Sequence, residues 1–575
     1  MSARQRRQRE RRRRDEAKRT RARSKQVLVG TGLALGVGLG MSSAAQAAPQ
    51  TFTVGTLNDN PGGPAVTDCA TATNTDCTLR DAIIAANSNA NTADQDVIVF
   101  NSGLTGSITL AGNPQTIKQS VWIQGPGTSP GNSAITVDGD DTYRDFLAVS
   151  GGNYAMDLKI SGLTVTNGSA NGGGAGISVY WDYSGSTSYP QPTLTVQDSA
   201  VSNNTGNDGA GIHGTRASIN IQDSAIYDNT AHGLSSGAGG GGVYLFPGIG
   251  GMLTIDHSRI ADNTANGDNG RGGGVHSLGP TTIESSTISG NNTTGAHARG
   301  GGVQLDSTAT IENSAIYENG TEGQYANGGG ASFGSLNSVA VDNTTIYANG
   351  TGGENASGGG IASNASAGPT ITDSTIVNNY SYVNGGGIYA NDDNPEMTLT
   401  NTIVSGNRLN GLGPDLYSPG ETFQAAFSLI GDASDATIND TVGGSNLTGV
   451  DPQLGPLQDN GGPTYTMALP PSSAAVDAGS SSSVVDQRGL LRPVAQSTAK
   501  SSATGANCAD VGAFELQVSG GGPGAACHPT PPPPSGGGGS PTTPATPKKK
   551  CKKKKHKRSA ETAKKKKCKK KKKKR

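Results

Sequence analysis

The sequence predicts an all-β chain folded as a right-handed parallel β-helix, and three observations carry that prediction. Eight segments, starting at Val196, Ile221, Ile255, Ile283, Ile311, Val341, Ile371 and Leu399, repeat one phrase. In each, a second aliphatic follows five residues on and an asparagine eight residues on: Asn204, Asn229, Asn263, Asn291, Asn319, Asn349, Asn379 and Asn407. Self-similarity at a period of roughly 28 residues marks a solenoid, whose copies bury their apolar faces only against one another. Next, five is an odd spacing, and side chains in a strand alternate with period two, so one straight strand cannot bury both aliphatics. A bend between them is implied, and the residues there are turn formers such as Asp198-Ser199, Ser285-Ser286 and Asn401-Thr402. Finally, Gly-rich runs ending in Val, Ile or Ala recur at 240–243, 272–275, 300–303, 328–331, 358–361 and 385–388. They supply a third short strand per turn.

The elements follow in chain order. Residues 1–47 read as a signal peptide: an Arg-rich stretch, an apolar run from Val27 to Met41, then Ala45-Gln46-Ala47 as a cleavage pattern. The alternative is an uncut anchor, for which a Gly-rich run of this length is short. Residues 48–96 form an N-terminal cap. Thr78-Leu79-Arg80-Asp81 resembles a capping box, and Leu79, Ala82, Ile83 and Ala86 share one apolar helix face that would plug the first coil. Residues 97–450 are the β-helix, less regular before Thr166. The Asn column stacks at one corner of every coil as an amide ladder, where Asn also tolerates left-handed backbone.

Residues 451–518 lack the repeat and read as a C-terminal cap, because a solenoid must close its open ends. Residues 519–547, rich in Pro and Gly, are a flexible linker, and 548–575 form a Lys-rich disordered tail whose like charges repel. Cys69 with Cys77, and Cys508 with Cys527, are the candidate disulfides of an oxidising compartment.

A formal charge of zero conceals segregation. The two ends carry thirty-three Lys and Arg, whereas residues 26–547 hold twelve against forty-one Asp and Glu, a net charge near −29. Such a body repels nucleic acid, so no specific nucleic-acid partner is expected; the tail suits anionic polymers. No further apolar run reaches spanning length, so no transmembrane helix is expected in the mature chain, which is placed outside the cell or at its wall.

The pairing of a Gly-rich tetrad with Ile226-Tyr-Asp-Asn229, Ile316-Tyr-Glu-Asn319 and Ile346-Tyr-Ala-Asn349 resembles the repeats of bacterial polymorphic outer-membrane proteins, with Ile in place of their Phe. Cys77-Thr-Leu-Arg-Asp-Ala82 resembles the CSLREA motif of secreted bacterial β-helix proteins. DPQLGPLQDNGGPTYTMAL from 451, AAVDAG, DQRG and DVGAFEL resemble the C-terminal part of choice-of-anchor Q surface proteins. These resemblances imply an exported, surface-displayed β-helix and bring no catalytic residues with them.

Polysaccharide lyases and hydrolases share the pectate-lyase-like architecture, so chemistry has to be looked for in the residues. The set NTD, DD, GHG and RIK of galacturonan hydrolases is not reproduced: Asn74-Thr75-Asp76 precedes the solenoid, Asp140-Asp141 is isolated, and no RIK occurs. The candidate ligand or cation surface is the solvent-side column Asp256, Glu284, Glu312 and Asp342, with Arg271 and Arg299 in register before two Gly runs. No cofactor is expected, calcium being the ion such a column would accept. His213 and His276 share a column two coils apart, too far for one metal ion. The leading expectation is a non-catalytic adhesin or carbohydrate-binding surface with an envelope or extracellular polysaccharide as partner. A lyase or hydrolase acting on acidic polysaccharide is the alternative, and a surface spacer the third.

Overall fold

The computed structural model describes residues 48–517, apart from 64–68, 72–74, 90–94, 152–154, 183–190, 234–238, 249, 335–337, 392–395, 410–412, 421 and 497–502. Residues 1–47, read above as a signal peptide, the segments read as linker and Lys-rich tail, and Cys527 lie outside the described residues. Among those described, no helix is long and apolar enough to cross a membrane.

The chain coils into a right-handed parallel β-helix built of four sheets. Sheet 1 has fourteen strands, sheet 2 thirteen, sheet 3 eight and sheet 4 ten. One coil visits them in turn as Thr281–Glu284, Thr287–Ser289, Asn292–Thr293 and Val303–Leu305, and the next coil begins with Ala309–Glu312. Three strands per coil were expected. The extra sheet arises because two residues after each ladder Asn stay extended and pair with their equivalents, as Thr264–Ala265 does with Asn292–Thr293.

The inward aliphatics stack by identity: Ile255 on Ile283 on Ile311 in sheet 1, and Ile260 on Ile288 on Ile316 in sheet 2. All six are fully buried, each contributing about 1.5–3 kcal/mol of apolar burial. The bend between the two aliphatics is made by a left-handed residue, Asp256's neighbour His257 (φ 45°), then Ser285 (φ 48°) and Asn313 (φ 52°) in the following coils.

Two ladders of side-chain oxygens complete the interior. Asn204 Nδ2 donates to Asn229 Oδ1 at 2.8 Å, and the pattern continues through Asn263, Asn291, Asn319, Asn349 and Asn379 to Asn407 at 2.9 Å per step. Each Oδ1 also accepts the backbone N–H of the previous Asn, which the corner would otherwise orphan. The left-handed residue at this corner is not the ladder Asn, as anticipated, but the one before it: Asp262 (φ 56°), Gly290 (φ 65°), Glu318 (φ 55°). The Asn has to turn its amide inward along the axis, and the preceding residue absorbs the bend. At the other corner, Ser258 N–H donates to Ser286 Oγ at 3.0 Å and Ser286 N–H to Ser314 Oγ at 3.2 Å, and so on to Ser428.

The Gly-rich tetrads are explained by the same column. A Cβ on Gly274 would lie 2.9 Å from Asn291 Cγ and 2.8 Å from the Gly302 carbonyl, so amide and Gly occupy one narrow corner.

Where the column stops, Asp replaces that Gly. Asp415 accepts Asn407 Nδ2 and Asn407 N–H on Oδ1, both at 2.8 Å, and closes the donor end. Asp145, in register with Gly176, sits at the acceptor end against Gly168, whose N–H donates to Asn204 Oδ1 at 2.7 Å.

Helix α1 (Leu79–Ser88) carries a capping box between Thr78 and Asp81 and buries Leu79, Ala82, Ile83 and Ala86. Cys69 and Cys77 form a disulfide. Arg80 grips Asp59 through Nε and Nη2, both at 2.8 Å, and the Asn113 carbonyl through Nη1 at 2.7 Å. Sheet 1 already begins before this helix, because Thr51–Val54 pairs with Asp96–Phe100.

Residues 451–516 differ in position from the end cap the sequence suggested. They pack along the flank of the last coils, burying Met467, Leu469, Val476, Val511 and Phe514 against Val377, Ile403 and Leu429 of sheet 2. The outer positions of sheet 2 turn apolar in these coils, and that apolar strip is what the segment covers. Cys508 is disulfide-bonded.

Candidate functional site

Two outer faces of the solenoid carry the polar groups on which a function can be built. On sheet 1, Thr254, Thr282, Thr310, Ala340, Thr370 and Thr398 stand in register on successive coils. Two residues along the same strands, Asp256, Glu284, Glu312 and Asp342 form the acidic column. Period-two alternation puts both columns on the solvent side while Leu253, Ile255 and Ile283 point inward.

A shallow groove of about 260 Å³ runs across these coils, with the Thr column as its floor and Met252, Pro280, Thr308 and Ser338 along one side; none of its lining residues is titratable. Burial, with the charges of Asp373 and Glu312, pushes the Asp342 carboxyl up to about 6. His257 Nδ1 lies 2.6 Å from an Asp256 oxygen, and both side chains are exposed. Among the described residues, no group of three or more His, Cys, Asp or Glu is arranged to hold a metal ion.

The other face belongs to sheet 4. Its outward column runs His213, Tyr244, His276, Gln304, Ser332. Sequence alone placed His213 and His276 in one column; the structure inserts Tyr244 between them, its ring stacked 5.3 Å from His213 and tilted 5.1 Å from His276. The Gly-rich loops fold over this column: a Cβ on Gly173 would strike His213, and one on Gly239 would strike His276. Burial therefore holds His213 down at about 4 and lowers His276, so both imidazoles are neutral at pH 7.

Around them sit Asp208, Asp306, Arg271 and Arg299. Asp306 accepts His276 Nε2 at 3.0 Å and Gln304 Nε2 at 2.7 Å, and Arg271 Nη1 approaches it at 3.5 Å. Although burial alone would raise its carboxyl, these partners hold Asp306 below the usual carboxylate range. Asp208 accepts the Gly239 N–H at 3.1 Å, and burial raises it. Arg271 pairs in register with Arg299, and Arg299 with Asn327.

The predicted surface residues thus fall into two groups on different sheets. The acidic column lies on sheet 1 and the Arg pair at the entry to sheet 4, and among the described residues no ion pair joins them. Asp208, Tyr244 and Asp306 were missed as site members. Aligning the Gly tetrads, as the Asn column was aligned, exposes the His213-Tyr244-His276 sequence; the partnership with Asp306 needs the loop geometry.

Residues 250–442 match the family model described as right handed beta helix region. That match covers about a third of the chain and agrees with the four-sheet coil seen there. The crystal structure of pectate lyase Pel9A is similar to this chain at 13% identity, covering 82% of this chain and 97% of that one, with a TM-score of 0.35. No curated protein matches the chain.

Proposed function

We propose that this chain is an exported, envelope-associated β-helix that binds an extended glycan along sheet 1 without turning it over. The observation that carries this reading is the groove floored by Thr254, Thr282, Thr310 and Thr370. Thr254, Thr282 and Thr310 set hydroxyls on three successive coils about 4.8 Å apart, Ala340 interrupts the row and Thr370 resumes it, so a polymer meets an array of donors and acceptors. No titratable group lines it, so its Thr and Ser hydroxyls have no acid or base among the lining residues to activate them. The neighbouring carboxylates Asp256, Glu284 and Glu312 favour neutral or cationic chains, or calcium-bridged ones.

The resemblance of Cys77–Ala82 and of residues 451–516 to secreted surface proteins supports export, and the Lys-rich residues 548–575 support electrostatic attachment to anionic wall polymers.

The double variant Thr282→Val with Thr310→Val keeps shape and strand preference but removes two hydroxyls. It should weaken binding to a neutral glycan array about tenfold, consistent with one to two lost hydrogen bonds. Release of reducing or unsaturated ends from any bound glycan would overturn the non-catalytic reading. Elution from cells only by detergent, not by 1 M salt, would overturn the electrostatic attachment.

A hydrolase acting on polysaccharide is the second reading, favoured by one observation: Asp208 is raised while Asp306 is lowered on the same face. An acid and a base need such opposite environments, and both carboxyls border the His213-Tyr244-His276 column, Asp208 through Gly239 and Asp306 through His276. Asp208→Asn would abolish product formation if that reading holds.

A further inference from the structure

The described part of the molecule is poor in cations, which makes the placement of two of them informative. Arg271 and Arg299 stand on adjacent coils, backbone-paired in register at the entry to sheet 4. Neither has a carboxylate to itself. Arg271 reaches Asp306 only at 3.5 Å, and that carboxylate is already occupied by His276 at 3.0 Å and Gln304 at 2.7 Å. Arg299 forms no ion pair among the described residues. Partial burial, and then the charge of Arg271, lower the Arg299 pKa; the one carboxylate that opposes them is Asp306, which Arg299 shares with Arg271 and His276.

Two guanidinium groups carried on adjacent coils repel, by about 1 kcal/mol in water at a separation near the coil spacing and by more where solvent is partly excluded. A purely structural pair would be expected to bring its own counter-charge. We propose that Arg271 and Arg299 form a subsite for an oxyanion group of an acidic glycan, a uronic carboxylate or a sulfate ester.

The fit is chemical as well as electrostatic. Each guanidinium offers paired N–H donors in a planar fork, which match the paired oxygens of carboxylate or sulfate, and the two are carried on adjacent coils. The Arg271 side chain is 36% exposed and Asp306 20%, so the subsite opens to solvent. Behind it, Asp306 fixes Arg271 from one side. His276, 2% exposed, anchors Asp306 through Nε2 and stays neutral, adding no competing charge. The Tyr244 phenol, pushed up to about 12 by burial and by Asp208, remains protonated. Gln304 Oε1 is buried without a partner, and its Nε2 is committed to Asp306, so the amide is oriented by that one contact. This subsite lies on sheet 4 and is independent of the sheet 1 groove.

The test uses the full chain and short ligands: a trigalacturonate, a sulfated disaccharide, and a neutral trisaccharide as control. The Lys-rich tail is common to all variants, so differences between them report on the subsite. Calorimetric titration of wild type should show a saturable site for at least one of the two anions that Arg299→Gln weakens, whereas any binding of the neutral sugar, which the sheet 1 groove would take, should be the same in both; the two anions separate carboxylate from sulfate as the source. Arg299→Gln should weaken that site at least tenfold and leave the thermal midpoint of the free protein unchanged or higher, because a repulsion is relieved. Arg299→Lys keeps the charge but loses the fork, and should weaken binding by a smaller factor. Equal affinity in wild type and Arg299→Gln, or no saturable site for either anion, overturns the proposal. So does a large fall in the midpoint of Arg299→Gln, which would mark Arg299 as structural. The Thr282→Val, Thr310→Val double variant should bind these anions like wild type, so failure of the sheet 1 reading is distinguishable from failure of this one.

Discussion

Between Asn204 and Asn407 the solenoid buries eight neutral amides in a single file, whereas the flanking segment buries Asp477, Asp486, Arg492, Asp510 and Glu515. Both regions solve the same problem, orphaned backbone donors inside a packed structure. The solenoid can use one side chain repeatedly because every coil presents the same N–H at the same height. The flanking segment has no repeat, so each donor needs its own acceptor. Glu515 accepts Val494 N–H at 2.6 Å and Asp510 N–H at 2.9 Å, while Asp486 takes Glu515 N–H at 3.0 Å. Arg492 holds this network to the solenoid, bonding Glu515 at 3.1 Å, Asn343 at 3.1 Å and the Gly512 carbonyl at 2.6 Å, with Asp373 at 3.4 Å. Repetition allows neutrality; irregularity demands charge.

The largest expected effect tests the charged side. Arg492→Met leaves Glu515 and Asp373 buried without their cation, which should cost about 3–5 kcal/mol. The loss should be local. Limited proteolysis ought to open residues 451–516 while hydrogen exchange in the coils from Asn204 to Asn319 stays slow. A single cooperative loss of both regions would show that they are not separate stability units.

On the neutral side, Asn291→Leu keeps the branched shape, with slightly larger methyl groups, but deprives Asn263 N–H and Nδ2 of the Asn291 oxygen. One orphaned backbone donor and a shortened ladder should cost about 2–4 kcal/mol. Faster exchange should be confined to the neighbouring coils, with the flanking segment unaffected. Exchange spreading over the whole solenoid would contradict nearest-neighbour behaviour.

The smallest effect concerns the acceptor end of the column. Asn204 Oδ1 accepts Gly168 N–H, and Asp145 stands against Gly168 with both carboxyl oxygens buried and, among the described residues, without a partner. Burial, assisted by Asp138, raises it well above the ordinary carboxylate range. The folded state therefore binds a proton that the unfolded state releases, so stability from this group falls as pH rises above about 4. At the donor end a carboxylate is the right partner, but burial still raises Asp415 to about 6. Its contribution falls in the same direction, between about pH 4 and 6. Asp145→Asn supplies a donor without a proton and should stabilise the chain by about 1–2 kcal/mol at pH 7, flattening the pH profile of the thermal midpoint. An unchanged profile would mean that water, not a proton, satisfies Asp145.

The right-handed β-helix was legible because its cause is periodic. Odd spacing between aliphatics forces a bend in every copy, and an asparagine at constant offset forces a column. The Gly tetrads were legible as strands but not as the partners of that column, since the corner where an added Cβ on Gly274 would lie 2.9 Å from Asn291 Cγ joins two different coils. The hydroxyl of Ser258, Ser286 and Ser314 was visible in the repeat as a turn former; its role as acceptor for the preceding coil was not.

What the sequence determined by itself was everything that recurs: the coil, the inward Ile stacks, the amide file, and the register that sets Asp256 beside Glu284 and Arg271 beside Arg299. What only the tertiary structure decided was everything that joins positions without a common period. It separated the acidic column from the Arg pair, wedged Tyr244 between two histidines, gave Asp306 its three partners, and laid residues 451–516 on the flank rather than across the end. The physical reason is that a periodic pattern fixes contacts between equivalent residues, whereas contacts between unlike residues depend on how loops and flank fold over the lattice, and no spacing in the chain encodes that path.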